Sequence, residues 1–166
     1  MIFKNIKKIF HISLIFPVFI FILDRISKIY VINLSKISFD TELFSSKYLN
    51  ITLIWNEGIA FGFFSFEEKI FYNFITAIIG IVIMIIIWLI LKAKGLEKYC
   101  FAMVLGGSLG NIFDRLTYSA VPDFIDFHIN GYHWFIFNVA DIFVTVGILC
   151  LIFDEMFINS KKNEKI

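Results

Sequence analysis

Charge is scarce in this chain. Of its 166 residues only 17 % are Asp, Glu, Lys or Arg, and the net charge is +1; soluble domains carry roughly 25 % charged residues. A balance so close to zero gives no electrostatic case for a nucleic-acid partner, which needs a basic surface to neutralise phosphates. Cysteine is nearly absent as well. Cys100 and Cys150 lie in apolar runs without CxxC spacing, so they read as small buried hydrophobes, with neither a disulfide framework nor a zinc site in view. No HExxH or HxxEH occurs around His128 and His133, and no metal is expected there. What the chain has in abundance is apolar surface: 59 % hydrophobic residues, 22 of them phenylalanine, where soluble domains have roughly 45–50 %. That composition calls for a membrane protein.

Ile9 to Leu23 has no charge and follows Lys4, Lys7 and Lys8. A signal peptide starts in the same way, but a small-x-small cleavage site is missing. The run therefore predicts an uncleaved first transmembrane helix over about 9–32, with Pro17 as a possible kink. Ile70 to Leu91, again uncharged, predicts a second helix over 70–91; a third fits 99–118 and a fourth 134–158. Between the first two, Leu49 to Trp55 half-alternates like a strand, and Asn56-Glu57-Gly58 reads as a turn. Ser65-Phe66-Glu67-Glu68 spells a capping box before the second helix. The expectation is an all-α membrane protein, a single integral domain over 1–166 built as a four-transmembrane-helix bundle. A small extracytoplasmic β-element lies in 33–69, and a second extracytoplasmic segment covers 119–133. Lysines cluster in the N-terminal tail, in the 92–98 loop and after 158, with three in each, against three in 33–69 and none in 119–133. The positive-inside tendency then puts both termini in the cytoplasm.

Ionised carboxylates are costly in or beside lipid, so those in this sequence are functional candidates. Asp24 and Lys28 are four residues apart and suffice as an interfacial ion pair. Gly106 and Gly110 form a GxxxG pair suited to close helix packing. The same glycines with Ser108 spell G-x-S-x-G, but inside a helix-length run and not the strand–turn–helix that a serine nucleophile requires. Gly107, Asn111 and Asp114 share one helical face, as do Asn138, Asp141 and Thr145, and two such polar stripes are expected to face each other. Pro122 should hold Asp123 in non-helical backbone beyond the third helix. A connector of about 15 residues at most could then return Asp123 towards Asp141. Two close carboxylates do not both ionise readily, and one acid beside one base around a water is what aspartyl hydrolysis needs. On spacing alone, pairing with Arg115 or a proton path competes with that arrangement.

Five blocks in order resemble the lipoprotein signal peptidases (signal peptidase II) of bacterial membranes. Asp24-Arg25-Ile26-Ser27-Lys28, Asn56-Glu57-Gly58-Ile59-Ala60-Phe61-Gly62 and Gly106 to Arg115 are similar to three of that family's blocks. Val121-Pro122-Asp123-Phe124 and Phe137-Asn138-Val139-Ala140-Asp141 resemble the two that carry its catalytic aspartates. Ser108 stands where the family usually has Ala, and Pro122 where it usually has Val. The resemblance implies an intramembrane aspartyl endopeptidase. It would remove signal peptides from prolipoproteins on the N-terminal side of the diacylglyceryl-modified cysteine. Asp123 and Asp141 would be the catalytic pair, with Asp24, Lys28, Asn56, Gly58, Asn111, Asp114, Arg115 and Asn138 supporting it and Asp114 partnering Arg115. It also implies a monomer in the bacterial cytoplasmic (inner) membrane, working near the outer leaflet on prolipoproteins among membrane lipids, with no cofactor and no metal. The alternatives are a small proton- or ion-coupled carrier using the same aspartates, or an assembly subunit whose polar residues only join helices.

Overall fold

The computed structural model describes residues 2–57 and 67–159. Gly58 and the Ser65 capping box lie outside the described residues. Four helices carry most of the chain: α1 (Ile2–Ser38), α2 (Glu67–Lys92), α3 (Gly95–Tyr118) and α4 (Val139–Phe153), the last running on into a π-helical segment, Asp154–Asn159. Four strands, β1 (Glu42–Ser45), β2 (Leu49–Asn56), β3 (Val121–Ile129) and β4 (Tyr132–Phe137), form one antiparallel sheet in the order β1-β2-β3-β4. One helix among the described residues, over Tyr72–Lys92, is long and apolar enough by length and composition to cross a membrane.

The sequence expectation differs from this structure in two respects. First, α1 extends past both expected ends and passes through Pro17. Second, the segment that begins at Trp134 is not helical until Val139. Asn130 and Gly131, both at positive φ (52° and 80°), turn the chain, as in the two-residue hairpin loops that favour Asn-Gly. Tyr132 to Phe137 then returns as β4, an aromatic and β-branched run suited to a strand. The β-element is therefore larger than expected. β2 and β3 are neighbours in the sheet, although α2 and α3 lie between them in sequence.

Glycines set the helix spacing. A Cβ on Gly106 would sit 2.7 Å from Ile20 Cβ of α1, and one on Gly107 would collide with the Ala140 carbonyl of α4. The close-packing reading of this stretch holds, with α3 wedged between α1 and α4. Ile83, Ile86 and Ile90 of α2 bury against Val104 and Leu105 of α3. A second cluster, Val31, Leu53 and Phe124, joins the end of α1 to β2 and β3. This cluster seats the sheet across one end of the helices. Large apolar side chains elsewhere point outward along α1 (Ile15, Phe19, Ile22, Ile26) and α2 (Ile81, Met84, Ile85, Trp88). Patches of that extent are foreign to the surface of a soluble monomer.

Candidate active site

Where the sheet meets the helices, polar side chains are collected into one network. Asp123 enters from β3 and is 4 % exposed. Its Oδ1 accepts from Asn138 Nδ2 at 2.6 Å and its Oδ2 from Asn56 Nδ2 at 2.9 Å. Asn56 sits on β2, whose Ile54 pairs with Asp123, so the contact is a diagonal cross-strand one. Non-helical backbone at Asp123 matches the expectation from Pro122.

Asp141 is the third residue of α4, and Asn138 is the residue that caps it. The Asn138 Oδ1 accepts from the Asp141 N–H and the Asp141 Oδ2 accepts from the Asn138 N–H, both at 3.1 Å. This is a reciprocal capping box. The other Asp141 oxygen accepts from Asn111 Nδ2 at 2.7 Å. Asn138 therefore touches both aspartates, through its side chain to Asp123 and its backbone to Asp141. It also donates to Asn111 Oδ1 at 3.2 Å. The polar stripes of α3 and α4 face one another through Asn111, Asn138 and Asp141, as expected.

Burial pushes the Asp123 carboxyl above the usual carboxylate range. The Asn56 and Asn138 donors oppose that rise, the negative Asp141 adds to it, and Lys28 opposes it. A carboxyl out of water favours its neutral form, and a second carboxylate nearby works in the same direction.

Beneath this pair lies a charged knot. Asp24, Lys28 and Asp114 are each fully buried. Lys28 Nζ contacts Asp24 at 3.0 Å, Asp114 at 2.7 Å and Asn111 Oδ1 at 2.9 Å. Arg25 grips Asp114 with both terminal nitrogens and reaches Asp24 Oδ2 at 2.6 Å and the Gly110 carbonyl at 3.2 Å. Asp24 Oδ1 also accepts from the Ala140 N–H at 3.0 Å, which fastens α1 to the start of α4. Two expectations change here. Asp24 and Lys28 are not a loose interfacial pair but part of a buried cluster. Asp114 pairs with Arg25 and Lys28 rather than with its neighbour Arg115, whose guanidinium lies over the Tyr72 ring, 5.3 Å from its centroid. Residues 114 and 115 point to different sides of α3, Asp114 to Arg25 and Lys28 and Arg115 to Tyr72. Sequence reasoning misses Arg25. The only signal is its place between Asp24 and Lys28, and its bidentate partner Asp114 lies on another helix, 89 residues on.

Two clefts open on the aspartates. One of about 390 Å³ is lined by Ile54, Trp55, Asn56, Glu57, Asp123 and Ile136. The other, about 220 Å³, is lined by Phe135, Phe137, Asp141, Ile142, Thr145 and Val146. Asp126, the remaining carboxylate of the polar insert, is buried apart from the pair and bonds His133 Nδ1 at 2.8 and 3.0 Å. Cys100 and Cys150 are free thiols.

Residues 16–157 match the family model described as Signal peptidase (SPase) II. The chain belongs to the signal peptidase II family. A lipoprotein signal peptidase of Pelagibacter ubique is 48 % identical over 162 residues, covering 97 % of both chains. One of Anaplasma phagocytophilum is 38 % identical over 143 residues, covering 85 % of this chain and 89 % of its own. Two solved structures, each titled as a bacterial membrane enzyme determined by the in meso method, superimpose on it. Their TM-scores are 0.75 and 0.70, at 28 % and 30 % identity; the first covers 89 % of this chain and 94 % of its own, the second 92 % of each. This signal peptidase II is thus a membrane-embedded protease. The carrier and assembly-subunit alternatives fall away.

Proposed function

We propose that this signal peptidase II hydrolyses prolipoproteins with Asp123 and Asp141 as its catalytic pair, cutting on the N-terminal side of the diacylglyceryl-modified cysteine. The observation that carries the pairing is Asn138, one residue hydrogen-bonded to both carboxylates. Asp123, whose neutral form burial favours, holds the proton and polarises the scissile carbonyl. Asp141, at a helix N-terminus where N–H groups favour negative charge, takes a proton from the attacking water. Collapse of the tetrahedral intermediate returns a proton to the leaving amine. Asn56, Asn111 and Asn138 orient the carboxylates. Asp24, Lys28 and Asp114 hold the helices that carry them, with Arg25 joining that group. Gly58 and Arg115 complete the supporting set that family resemblance implies.

The cleft at Asp123 suits an extended peptide. The more apolar one beside Asp141 suits the lipid on the substrate cysteine, where each buried CH₂ contributes about 0.8 kcal/mol. The exposed apolar faces of α1 and α2 suit a membrane-embedded bundle. The lysines of the N-terminal tail, the 92–98 loop and the C-terminal tail favour both termini in the cytoplasm. Four spans of one chain in the bacterial cytoplasmic membrane, with the sheet at the outer leaflet, complete the reading. No cofactor enters the reaction. The test is cleavage of a diacylglyceryl-modified prolipoprotein peptide by purified protein. Asp123→Asn and Asp141→Asn should each abolish it while leaving the fold intact, and persistent cleavage in both would remove the pair from the mechanism. A reporter fused after Lys47 should read outside the cell; a cytoplasmic readout would invert the topology.

A further inference from the structure

Two histidines and an aspartate that proteolysis leaves unused meet farther along the β3–β4 hairpin. Side chains alternate along a strand, so Asp126 and His128 share the face of β3 opposite Asp123. His128 pairs directly with His133 of β4. Their imidazoles stack with centroids 4.9 Å apart and planes 20° from parallel. Asp126, 4 % exposed, presents both oxygens to His133 Nδ1. The His128 Nδ1 atom is buried and has no hydrogen-bond partner among the described residues, a costly state for a polar atom. One ligand atom from each of the three residues lies within 4.8 Å of the others. The His133 side chain is 51 % exposed, which gives an ion a way in.

We propose that Asp126, His128 and His133 bind Zn²⁺ in a site that staples β3 to β4. Two imidazole nitrogens and one carboxylate oxygen are donors for Zn²⁺, whereas Ca²⁺ and Mg²⁺ take oxygen ligands. Bonds of about 2.0–2.2 Å arranged tetrahedrally set ligand atoms about 3.3 Å apart. The Asp126–His133 contact, 2.8 Å, is already inside that spacing. The other separations, within 4.8 Å, require the stacked imidazoles to turn about the broad χ2 torsion so that their nitrogens converge. A water takes the fourth position. The ion would satisfy the orphaned His128 nitrogen and fix the spacing of the two strands. One of them carries Asp123 and the other leads through Phe137 into Asn138. Because it sits on the other face of β3, the ion is structural, and the inference does not rest on the peptidase reading.

The test uses tagless full-length protein in detergent, titrated with Zn²⁺ by calorimetry and with Co²⁺ by visible absorption. The expected result is one ion per chain, Co²⁺ bands of tetrahedral intensity without a thiolate charge-transfer band, and no binding of Mg²⁺. Zn²⁺ should raise the thermal midpoint of the parent protein. His128→Gln and His133→Gln should each weaken binding at least about 100-fold, beyond the range seen for mere second-shell partners, and lose that rise. Their metal-free midpoints should stay near the parent's, which separates ligand loss from misfolding; Asp126→Asn repeats the test from the third ligand. Failure of the parent to bind Zn²⁺, or binding that survives in both histidine variants, overturns the proposal.

Discussion

Two pairs of aspartates share one polar network, and their surroundings differ in kind. Asp24 and Asp114 are neutralised by Arg25 and Lys28, two cations for two carboxylates, all in the protein interior. Asp123 and Asp141 are held by amides: Asn56, Asn111, Asn138 and a backbone N–H. The cations compensate the charge of the first pair directly, while neutral amides orient the second pair without supplying a compensating charge. The first pair is thereby committed to holding helices together. In the second, burial raises the Asp123 carboxyl above the usual carboxylate range, which suits the acid–base role proposed for it.

The largest effect expected from breaking this contrast is on catalysis. Asp123→Asn or Asp141→Asn should lower the cleavage rate by about 10²–10⁴-fold or more, while the protein still unfolds as a folded domain in detergent. Asp114→Asn should do the reverse. It leaves Arg25 and Lys28 buried beside one remaining carboxylate, so stability should fall by about 3–5 kcal/mol, read from the unfolding midpoint. Gly107→Ala, which drives a methyl group into the Ala140 carbonyl and Val144, should cost about 1–3 kcal/mol and disturb the α3–α4 contact that aligns Asn111 with Asp141.

The pH profile sharpens the comparison further. The raised Asp123 pKa means that the folded protein keeps this proton to higher pH than the unfolded chain does. The stability it contributes is complete below the unfolded carboxyl's pKa and is lost as pH rises through the folded one. Cleavage should decline over the same rise, and Asp123→Asn should erase that limb from the stability profile. Ser108→Ala should change least, within about 0.5 kcal/mol in stability and with activity retained; a folded but inactive variant would reopen a serine mechanism.

Much of the site is legible in the sequence because its residues lie in compact local blocks. Asn138 to Asp141 is one short block whose two polar residues are legible as a shared face. The expected helix begins at Trp134, however, so the capping box that Asn138 forms with Asp141 comes only from the structure. Gly106 to Asn111 lies on one helix, so its packing and polar positions follow from helical periodicity. The sheet is less legible. β2 and β3 pair across two intervening helices, and the Trp134–Phe137 strand merges into the apolar run of α4. Asn130-Gly131 is the local signal that marks the hairpin. Arg25 escapes notice because its partner Asp114 is far along the chain.

By itself the sequence determined the class of the molecule, an apolar helical scaffold with a few carboxylates too costly to be incidental, and through its ordered blocks the family. Periodicity and composition are local, so these properties needed no knowledge of what packs against what. Only the tertiary structure decided which aspartate meets which partner. Close approach at Gly106, Gly107 and Gly110, together with the β2–β3 pairing, joins segments distant in sequence. That joining put cations against Asp24 and Asp114, amides against Asp123 and Asp141, and two imidazoles beside Asp126.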